Sequence, residues 1–559
     1  MFPIGLESFS QFFNSETIIV LSVLSVANAI LLYFASIKFL LVFQQAGYKN
    51  KRYFKWLASP KTPYLSRLML LCLLGFLFFN VLNTSFQPVI GNETMTSYLG
   101  FISYILFVAL YIDTEKNVNA KVPLKMTKRL VRLSITFCVL LAFITFGLFV
   151  LFSYIAYLIN NPTVALLRYS LICAMPILCP YILYVAYLIN EPLEAIIRNH
   201  YLGIAKQKLD KCDVIKVGIT GSYAKTSIKE ILRTILSQKY RVLATPQSYN
   251  TPLGIALAVT KLDSTYDIFL AEMGAREKGD IKTLTQLVKP SIGVLTGINN
   301  QHLESFKTME NLMDTKYELF ENMDKDGLAF FTSDSVGGVE LAERFEGKKF
   351  TAGIDGEDNL VSATNIVVDN KGTTFTLNVK GHKPIKCNTL LLGKHSVSNI
   401  CLASAIAYKL GLTPSEISQG ISRIQSINHR LELVPNNKNI VLIDDSYNSN
   451  EDGINAAMEV LDTFKGRKIV LTPGLVELGK LENVLNLEFG KKLANHADIV
   501  IIVGKQNAEM LLSGLLEGGM SKENIYFEKT VSRGNDTLNK ILMEGDVVLF
   551  ENDLPDNYN

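Results

Sequence analysis

A run of small and hydroxyl residues at 218–227 carries the clearest chemistry in the chain. It reads Gly-Ile-Thr-Gly-Ser-Tyr-Ala-Lys-Thr-Ser and lies between an apolar segment and an amphipathic one. A strand–loop–helix turn of this kind directs backbone N–H groups and a helix dipole at one point, which suits a phosphate. Lys225 would reach the β- and γ-phosphates, and the Thr226 hydroxyl would ligate Mg²⁺. Because Ile219 and Ala224 replace the glycines of the GxxxxGK[ST] pattern, the loop alone is equally consistent with an ordinary strand–helix turn.

Two further polar residues follow apolar segments that have the composition of strands. Glu272 comes directly after 268–271, and His302 lies shortly after 292–296. In open parallel sheets the carboxyl ends of the strands face the ligand crevice, so both side chains are expected near the 218–227 loop. A carboxylate there can hold Mg²⁺ beside a γ-phosphate, whereas the alternative is an ordinary surface glutamate.

Further short segments extend this pattern in order along the chain. They are 220–226, 248–254, 272–280, 302–304, 393–399, 429–430, 444–448 and 477–479. Together they resemble the Mur ligase family, the ATP-dependent amide-forming ligases of cell-wall peptide assembly. The resemblance is strongest to the MurF-like branch, which adds D-alanyl-D-alanine. It covers the chain from about Val214 to the C-terminus and leaves residues 1–200 unmatched.

The resemblance implies an ATP site that two domains share. Asn399 would contact the adenine edge, while Arg430 and Asp445 would reach the phosphates and ribose when the domains close. Asn399 could instead be a polar contact at a helix N-terminus, and Arg430 an interdomain ion-pair partner. The loop residues that would surround the phosphates are Thr220, Gly221, Ser222, Tyr223, Ala224, Lys225, Thr226 and Ser227.

The resemblance also implies a metal and catalytic centre formed by Lys225, Glu272, His302 and Lys316. Thr226, Glu272 and His302 would bind Mg²⁺, and the resemblance allows for two ions. Lys316 stands where several Mur ligases have a carbamylated lysine that bridges to the metal. It is equally consistent with a solvated helix lysine.

The implied reaction joins a carboxylic acid to an amine. A substrate carboxylate, held near Asn250 and Thr251, attacks the γ-phosphate of ATP and forms an acyl phosphate. Mg²⁺ and Lys225 neutralise charge in that step. The amine then attacks the acyl carbon and expels phosphate, while domain closure excludes the water that would hydrolyse the acyl phosphate.

Three departures from the family bear on this expectation. Ala224 places a Cβ where the family has glycine, which costs on the order of 1–2 kcal/mol if the backbone needs a positive φ there. Residues 1–200 replace the soluble domain that holds the UDP-linked substrate in MurF-like enzymes. Residues 551–556 stand where MurF-like enzymes carry a Lys-Gly-Ser segment that helps receive the amine, so the amine could differ too.

The composition indicates a membrane part joined to a soluble part. The chain has 559 residues, of which 48% are hydrophobic and 19% charged. The formal net charge of +3 is too small to indicate a nucleic-acid binder, so no nucleic-acid partner is expected. The seven cysteines contain no CxxC pair, which argues against a zinc site or a disulfide framework and indicates a reducing compartment.

Residues 1–200 are expected to form an α-helical membrane domain with five transmembrane helices. The stretches are 17–37, 66–86, 94–112, 133–159 and 167–190. Seven Lys/Arg lie within 38–67 and six within 113–132, whereas the first sixteen residues have none. The positive-inside rule then places the N-terminus outside and the rest of the chain after Asn190 in the cytoplasm of a multi-pass plasma-membrane protein. The spans lack acids, lysines and histidines, which favours an anchor over a charged-solute pathway but leaves a groove for a lipid-linked substrate open.

The remaining sequence has a pattern typical of two α/β domains with mainly parallel sheets. Residues 201–213 would be a juxtamembrane linker, followed by a central ATP-binding domain at 214–427. The alternating run at 360–379 predicts an antiparallel hairpin inserted in this domain. A Rossmann-like C-terminal domain would occupy 428–559, because short β-rich runs again alternate with helical ones.

The leading hypothesis is a membrane-anchored ligase that acts on a cell-envelope precursor. The acid would be UDP- or lipid-linked, the amine an amino acid or dipeptide, and membrane lipid a further partner. Poly-γ-glutamate-type ligation is an alternative, since it also pairs a Mur-like core with membrane helices. A non-catalytic nucleotide-binding scaffold of envelope assembly is another, motivated by Ala224. The joint presence of Lys225, Thr226, Glu272 and His302 argues against the scaffold.

Overall fold

A computed structural model describes most of the chain. The described residues are 15–59, 124–159, 162–246, 249–299, 308–356, 358–369, 371–427, 429–435, 439–446, 451–476, 481–505 and 507–552, with single positions and short pieces between 70 and 113 and at 306. The chain divides into two compact units, Met1–Ile197 and Arg198–Asn559.

The first unit is helical in the residues described. Its helices are α1 (Ser15–Ala35), α2 (Ile37–Gln45), α3 (Asn50–Leu57), α4 (Lys128–Ile159) and α5 (Pro162–Lys211), which continues into the second unit. A short apolar helix also covers Tyr104–Asp113. Leu32, Phe137 and Leu141 are buried between helices, whereas Val139 and Phe143 are exposed on α4. A helix whose outer face is also apolar is typical of one that faces lipid.

Three helices in the described part of the chain are long and apolar enough to cross a membrane. They are Ile18–Ala35, Lys128–Phe152 and Ala174–Lys211. These coincide with the spans predicted at 17–37, 133–159 and 167–190. The span predicted at 94–112 is described only in part, and most of the one at 66–86 lies outside the described residues.

The second unit contains two sheets, each with its own helices, which we call the first and second lobes. The first lobe has strands β1 (Ile215–Thr220), β2 (Val242–Ala244), β3 (Ile268–Glu272), β4 (Ile292–Leu295), β5 (Leu328–Thr332), β6 (Lys349–Gly353), β7 (Val361–Asp369), β8 (Gly372–Val379) and β9 (Ile385–Thr389). Its helices are α6 (Lys225–Leu236), α7 (Pro252–Val259), α8 (Asp280–Val288), α9 (Met309–Asn322), α10 (Val336–Arg344), α11 (Lys394–Lys409) and α12 (Pro414–Ser422).

The first-lobe sheet has nine strands among the described residues, in the order β2-β3-β1-β4-β5-β6-β7-β8-β9. Pairing is parallel from β2 to β7. The central strands are buried on both faces, as Val217, Leu270 and Val294 show with no exposed surface. Ile219 pairs with Glu272. The carboxyl ends of β1, β3 and β4 therefore meet at one edge, where they position the predicted site.

The predicted antiparallel hairpin is confirmed at the far side of this sheet. β7 and β8 pair antiparallel from Val361 opposite Val379 to Asp369 opposite Gly372. Gly372 has a φ of +127°, a backbone conformation that favours glycine in the turn. β9 adds a third antiparallel strand, which the sequence did not predict.

The second lobe is built on a smaller sheet. Its strands are β10 (Glu432–Leu433), β11 (Val441–Asp445), β12 (Lys468–Thr472), β13 (Ile499–Val503), β14 (Ile525–Glu528) and β15 (Val547–Glu551). Its helices are α13 (Glu451–Thr463), α14 (Glu482–His496), α15 (Ala508–Glu517) and α16 (Val531–Ile541), with a 3₁₀ turn at Lys522–Asn524. The order of the six strands described is β10-β11-β15-β12-β13-β14, and only β10 pairs antiparallel among them. Two mainly parallel α/β sheets are therefore confirmed.

The last turns of α5 pack as part of the first lobe. Ala205 and Leu209 are buried with side chains of α7 and α8. Between them, the Lys208 ammonium donates to the Thr260 carbonyl at the end of α7 (2.6 Å). The segment expected as a linker, 201–213, is thus helical over most of its length and contributes to the lobe's core.

Candidate active site

The predicted phosphate loop joins β1 to α6 at the centre of the first-lobe sheet. The strand ends at Thr220 and the helix begins at Lys225, which confirms the expected strand–loop–helix order. The Thr220 hydroxyl donates to the Met273 carbonyl (3.1 Å), and the Ser222 N–H donates to the Gly297 carbonyl (2.8 Å). Since these partners follow β3 and β4, the loop is fixed from both sides.

One residue of the loop, Ser222, has a hydroxyl that fits a bound phosphate. The Ser222 hydroxyl is buried and has no hydrogen-bond partner among the described residues. Tyr223 points its carbonyl at the Thr296 hydroxyl, which donates to it, and Ser227 is half-buried in the first turn of α6. A buried polar group without a partner costs about 1–3 kcal/mol, which a ligand oxygen can remove. The N-terminus of α6 adds positive potential at the same place.

Ala224 adopts the left-handed backbone conformation. It is the residue before α6 and has φ +59° and ψ +1°. The position therefore does require the positive φ that glycine would supply without strain. For an alanine the cost is on the order of 1–2 kcal/mol.

Lys225 turns its ammonium back toward the loop. Its Nζ donates to the carbonyls of Gly221 (2.7 Å) and Ser222 (2.9 Å). Removal from water is the main cause that lowers the pKa of Lys225 to about 8; the Glu272 carboxylate opposes the shift and Arg430 adds to it. The cation is thus held at the loop by carbonyls that a phosphate could replace.

The Glu272 carboxylate is the best-defined polar centre of the first lobe. It lies at the end of β3 and is 1% exposed. Its Oε2 accepts from the Thr226 hydroxyl (2.9 Å) and from the Lys229 ammonium (3.2 Å), and its Oε1 accepts from the Asn250 amide (3.2 Å). The predicted residues Thr226, Asn250 and Glu272 are therefore brought together. Oxygen ligands of this kind fit Mg²⁺, which prefers carboxylates and retained waters.

Lys229 is a charged member of this centre that the sequence reasoning missed. Its side chain has no exposed surface, and its ammonium also lies 3.6 Å from a Glu230 oxygen. A buried lysine requires a carboxylate partner, because an isolated charge is very costly in an apolar environment. One feature of the sequence could have indicated it. Lys229 is four residues after Lys225 and therefore lies on the same face of α6.

Lys316 is buried in α9 with 1% of its side chain exposed. Burial, with a further contribution from Lys225, lowers the pKa of Lys316 well below its usual value, although Asp280 and Glu318 oppose the shift. Glu318 also accepts hydrogen bonds from two backbone N–H groups at the start of α8. Of the two alternatives, the solvated helix lysine is wrong, because the ammonium is not in solvent.

Two substrate candidates differ in how they are engaged. Asn250 is bound to Glu272, as described above. Thr251 instead caps α7, where its hydroxyl accepts from the Gly254 N–H (3.3 Å). His302 lies outside the described residues. No group of three or more His, Cys, Asp or Glu side chains converges within the described part of the chain.

Asn399 is buried near the start of α11. In the same turn, the Ser396 hydroxyl lies 3.2 Å from Nε2 of His395. Removal from water and the nearby Arg430 lower the pKa of His395 to about 4. Arg430 therefore contributes to the lowered pKa of both Lys225 and His395.

Asp445 ends β11 in the second lobe and is 8% exposed. Its Oδ1 accepts from the Leu431 N–H (3.2 Å). Burial raises the pKa of Asp445 to about 6; Arg430 and the Leu431 N–H oppose the rise, and Asp444 adds to it. The predicted residues Arg430 and Asp445 are therefore neighbours.

Comparison with known proteins agrees with this architecture. The sequence pattern of the Mur ligase middle domain matches residues 219–407, and that of the Mur ligase glutamate ligase domain matches 429–551. The chain belongs to the Mur ligase family. This Mur ligase is accordingly an ATP-dependent amide ligase, MurF-like in sequence, with apolar helices in place of a UDP-binding domain.

Its relatives include UDP-N-acetylmuramoyl-tripeptide–D-alanyl-D-alanine ligases. The Bacillus subtilis enzyme is 28% identical over 357 residues, which cover 62% of this chain and 75% of the relative. The Escherichia coli enzyme is 30% identical over 298 residues, or 52% and 65% of the two chains. The crystal structure of Thermotoga maritima MurF ligase with ADP has a TM-score of 0.57 at 24% identity, covering 64% of this chain and 80% of that one. It shares the fold.

Proposed function

We propose that this Mur ligase is anchored in the membrane and joins a carboxylate of a cell-wall precursor to an amine through an acyl phosphate. The observation that carries the proposal is the buried Glu272 carboxylate, held by Thr226, Lys229 and Asn250 beside the Lys225 loop. In a Mur ligase fold, this arrangement offers a carboxylate ligand for a metal ion next to a phosphate site. Those are the two components that phosphorylation of a carboxylate by ATP requires.

The ATP phosphates would lie in the 220–227 loop. The Ser222 hydroxyl would donate to a phosphate oxygen, and Lys225 would exchange its two loop carbonyls for the β- and γ-phosphates. Thr226, Glu272 and His302 would hold one or two Mg²⁺ ions. When bound, these ions neutralise charge on the transferred phosphoryl group.

Lys316 would act in its carbamylated form. A lowered pKa favours the neutral amine, which is the form that adds CO₂. The product carries a negative charge, so the nearby Lys225 ammonium, which disfavours a charged Lys316, would instead stabilise it.

The second lobe would complete the nucleotide site. Asn399 would contact adenine, Arg430 would meet the phosphates, and Asp445 would accept from ribose hydroxyls. Asn250 and Thr251 would lie near the carboxylate substrate. Because Asn250 already bonds to Glu272, the acid and the metal would be brought to adjacent positions.

The acceptor would be UDP- or lipid-linked, and the amine an amino acid or dipeptide, with membrane lipid as a further partner. The relatives named above act with a UDP-linked tripeptide and D-alanyl-D-alanine. Apolar helices in place of a UDP-binding domain favour a lipid-linked acid. We further propose five spans, an outer N-terminus and catalytic lobes in the cytoplasm, with domain limits at 1–200, 214–427 and 428–559.

The test is phosphate release from ATP by the full chain in lipid nanodiscs with Mg²⁺. UDP-linked and lipid-linked muropeptides are supplied with D-alanyl-D-alanine or single amino acids. Lys225→Ala serves as the inactive variant, and the exposed Lys348→Ala as its matched control. We expect turnover that needs both acid and amine, falls at least a hundredfold in Lys225→Ala and is unchanged in the control.

The other outcomes separate the alternatives. Incorporation of repeated glutamate units would replace the proposal with poly-γ-glutamate synthesis. Tight ATP binding without turnover for any pair would favour the nucleotide-binding scaffold. Equal turnover of UDP-linked and lipid-linked acids would remove the argument for a lipid-linked acceptor.

A further inference from the structure

Two basic segments that are distant in the sequence meet at one end of the helical unit. The Gln44 side chain, near the end of α2, connects them. Its amide donates to the Lys125 carbonyl (2.8 Å), and its oxygen accepts from the Lys125 N–H (3.1 Å). Lys128, at the start of α4, is therefore at the same end as α3, which follows α2 directly.

Helix α3 has one aromatic side and one basic side. Tyr53 has no exposed surface, and its hydroxyl donates to the Pro180 carbonyl of α5 (3.3 Å). Trp56 is half-buried, with its ring centroid 6.4 Å from that of Phe39. Lys51 and Lys55, one turn apart, are exposed. The helix is thus amphipathic, with its aromatic rings directed into the helical unit.

Two glutamates of α5 at this end form ion pairs with arginines of α4. Arg129 lies 3.3 Å from Glu191, and Arg132 lies 2.6 Å from Glu194. The Arg129 guanidinium also stacks over the Tyr48 ring at 4.0 Å. These acids are therefore balanced by arginines, and the lysines add a net positive charge to the surface.

We propose that Lys51, Lys55, Lys125 and Lys128, here called the α3 basic surface, bind the anionic headgroups of bilayer phospholipids. Because its aromatic rings pack into the helical unit, α3 leaves its lysines on the outer surface. Lys128 begins the apolar helix Lys128–Phe152, so this surface lies where a helix able to cross a membrane starts, which is the level of the lipid headgroups. Lysines there attract anionic lipid phosphates, an effect that salt screens. The inference rests on the proposed membrane anchoring but not on the ligase reaction, so a failed turnover assay leaves it standing.

Trp56 provides the measurement, because the chain contains one tryptophan. The full chain is reconstituted in phosphatidylcholine nanodiscs that carry a minor fraction of brominated phosphatidylglycerol or, in a parallel set, brominated phosphatidylcholine. Bromine quenches a tryptophan only when it is close. We expect Trp56 quenching to report a preference for the anionic lipid on the order of threefold or more, which 0.5 M salt reduces.

In the variant Lys51→Gln/Lys55→Gln/Lys125→Gln/Lys128→Gln, the ratio of quenching by the anionic lipid to quenching by phosphatidylcholine should fall close to one. A matched variant, Lys348→Gln/Lys383→Gln/Lys386→Gln/Lys522→Gln, removes four exposed lysines from the lobes and should keep the preference. Restoring the four positions as arginine should restore the preference, which separates charge from a folding defect. Equal quenching by both lipids in the native chain, or an unchanged preference in the first variant, would overturn the proposal.

Discussion

The two lobes each place a buried acid at the carboxyl end of a strand, but they surround it differently. Glu272 ends β3 and accepts hydrogen bonds from three side chains, one of them the buried lysine Lys229. Asp445 ends β11, and its side chain accepts a hydrogen bond from the Leu431 N–H. Burial raises the pKa of Asp445 to about 6 even with Arg430 nearby.

The difference indicates two ways to prepare a binding site. The first lobe balances its acid internally, so the carboxylate is fixed before a ligand arrives. The second lobe leaves its acid with less stabilisation of the charged form, which hydroxyl donors of a ligand could supply. Substitutions in the two lobes should therefore differ in their effect on turnover and in their pH dependence.

The largest effect is expected from Glu272→Gln. It removes the charge opposite Lys229 and should lower the free energy of unfolding by about 3 kcal/mol, because a buried lysine loses its partner. Turnover should fall by about 10²–10³-fold, since the carboxylate that would bind the metal ion is lost. The measurements are the thermal unfolding midpoint and phosphate release.

The double variant Glu272→Gln/Lys229→Met sharpens this test. Removing both charges should recover at least half of the lost stability, whereas turnover should stay low. Glu230→Gln is the matched control, because Glu230 contacts the same lysine at 3.6 Å but is 31% exposed; its cost should stay below about 1 kcal/mol. If the double variant is no more stable than Glu272→Gln, the unpaired Lys229 charge is not the cause of the lost stability.

Much of this fold could be predicted from the sequence, because its signals are local. The alternation of apolar strands with amphipathic helices predicted both mainly parallel sheets, and the 360–379 pattern predicted the hairpin. The third antiparallel strand β9 was missed, since Ile385–Thr389 is short and only its pairing with β8 identifies it. The helical course of 201–211 was missed because its position after the last predicted span suggested a juxtamembrane linker, whereas Ala205 and Leu209 pack into the core of the first lobe.

The site was predictable where a motif fixed a residue's position. The motif placed Thr226 and Glu272 near each other, and they are hydrogen-bonded. The spacing of Lys229 from Lys225 did not by itself identify its role, because that role depends on burial against β3, which is a property of the folded lobe. For the same reason, the solvated description of Lys316 could be excluded only once its burial was known.

The next largest effect is a pH dependence in the second lobe. Because the pKa of Asp445 rises from its usual 3.8 to about 6, the folded state binds more protons than the unfolded state between these values. Stability should fall as pH rises from 4 to 7, by about 2–3 kcal/mol from this group. Asp445→Asn should remove that decline, as measured by urea unfolding at pH 4 and pH 7.

Asp546 gives a control of opposite sign in the same lobe. Burial would raise its pKa, but hydrogen bonds from Arg467 and from the Met543 N–H outweigh burial and lower the pKa of Asp546 below its usual 3.8. Its contribution is present above that value and is lost as pH falls below it, so Asp546→Asn should leave the decline between pH 4 and 7 in place. An Asp445→Asn variant that keeps the native decline would contradict the assignment to Asp445.

The smallest effect is expected at Ala224. Its φ of +59° strains an alanine, whereas glycine adopts this conformation readily. Ala224→Gly should raise the free energy of unfolding by about 1 kcal/mol or less, because the relief of strain is partly offset by the greater flexibility of glycine in the unfolded chain. The hydrogen bonds of Lys225 and Thr226 do not involve the Ala224 side chain, so turnover should change by less than about threefold. A large gain in turnover would instead show that the strained loop holds the first-lobe site away from its active geometry. The first lobe would then not be assembled before the ligand binds, and the difference drawn between the two lobes would be wrong.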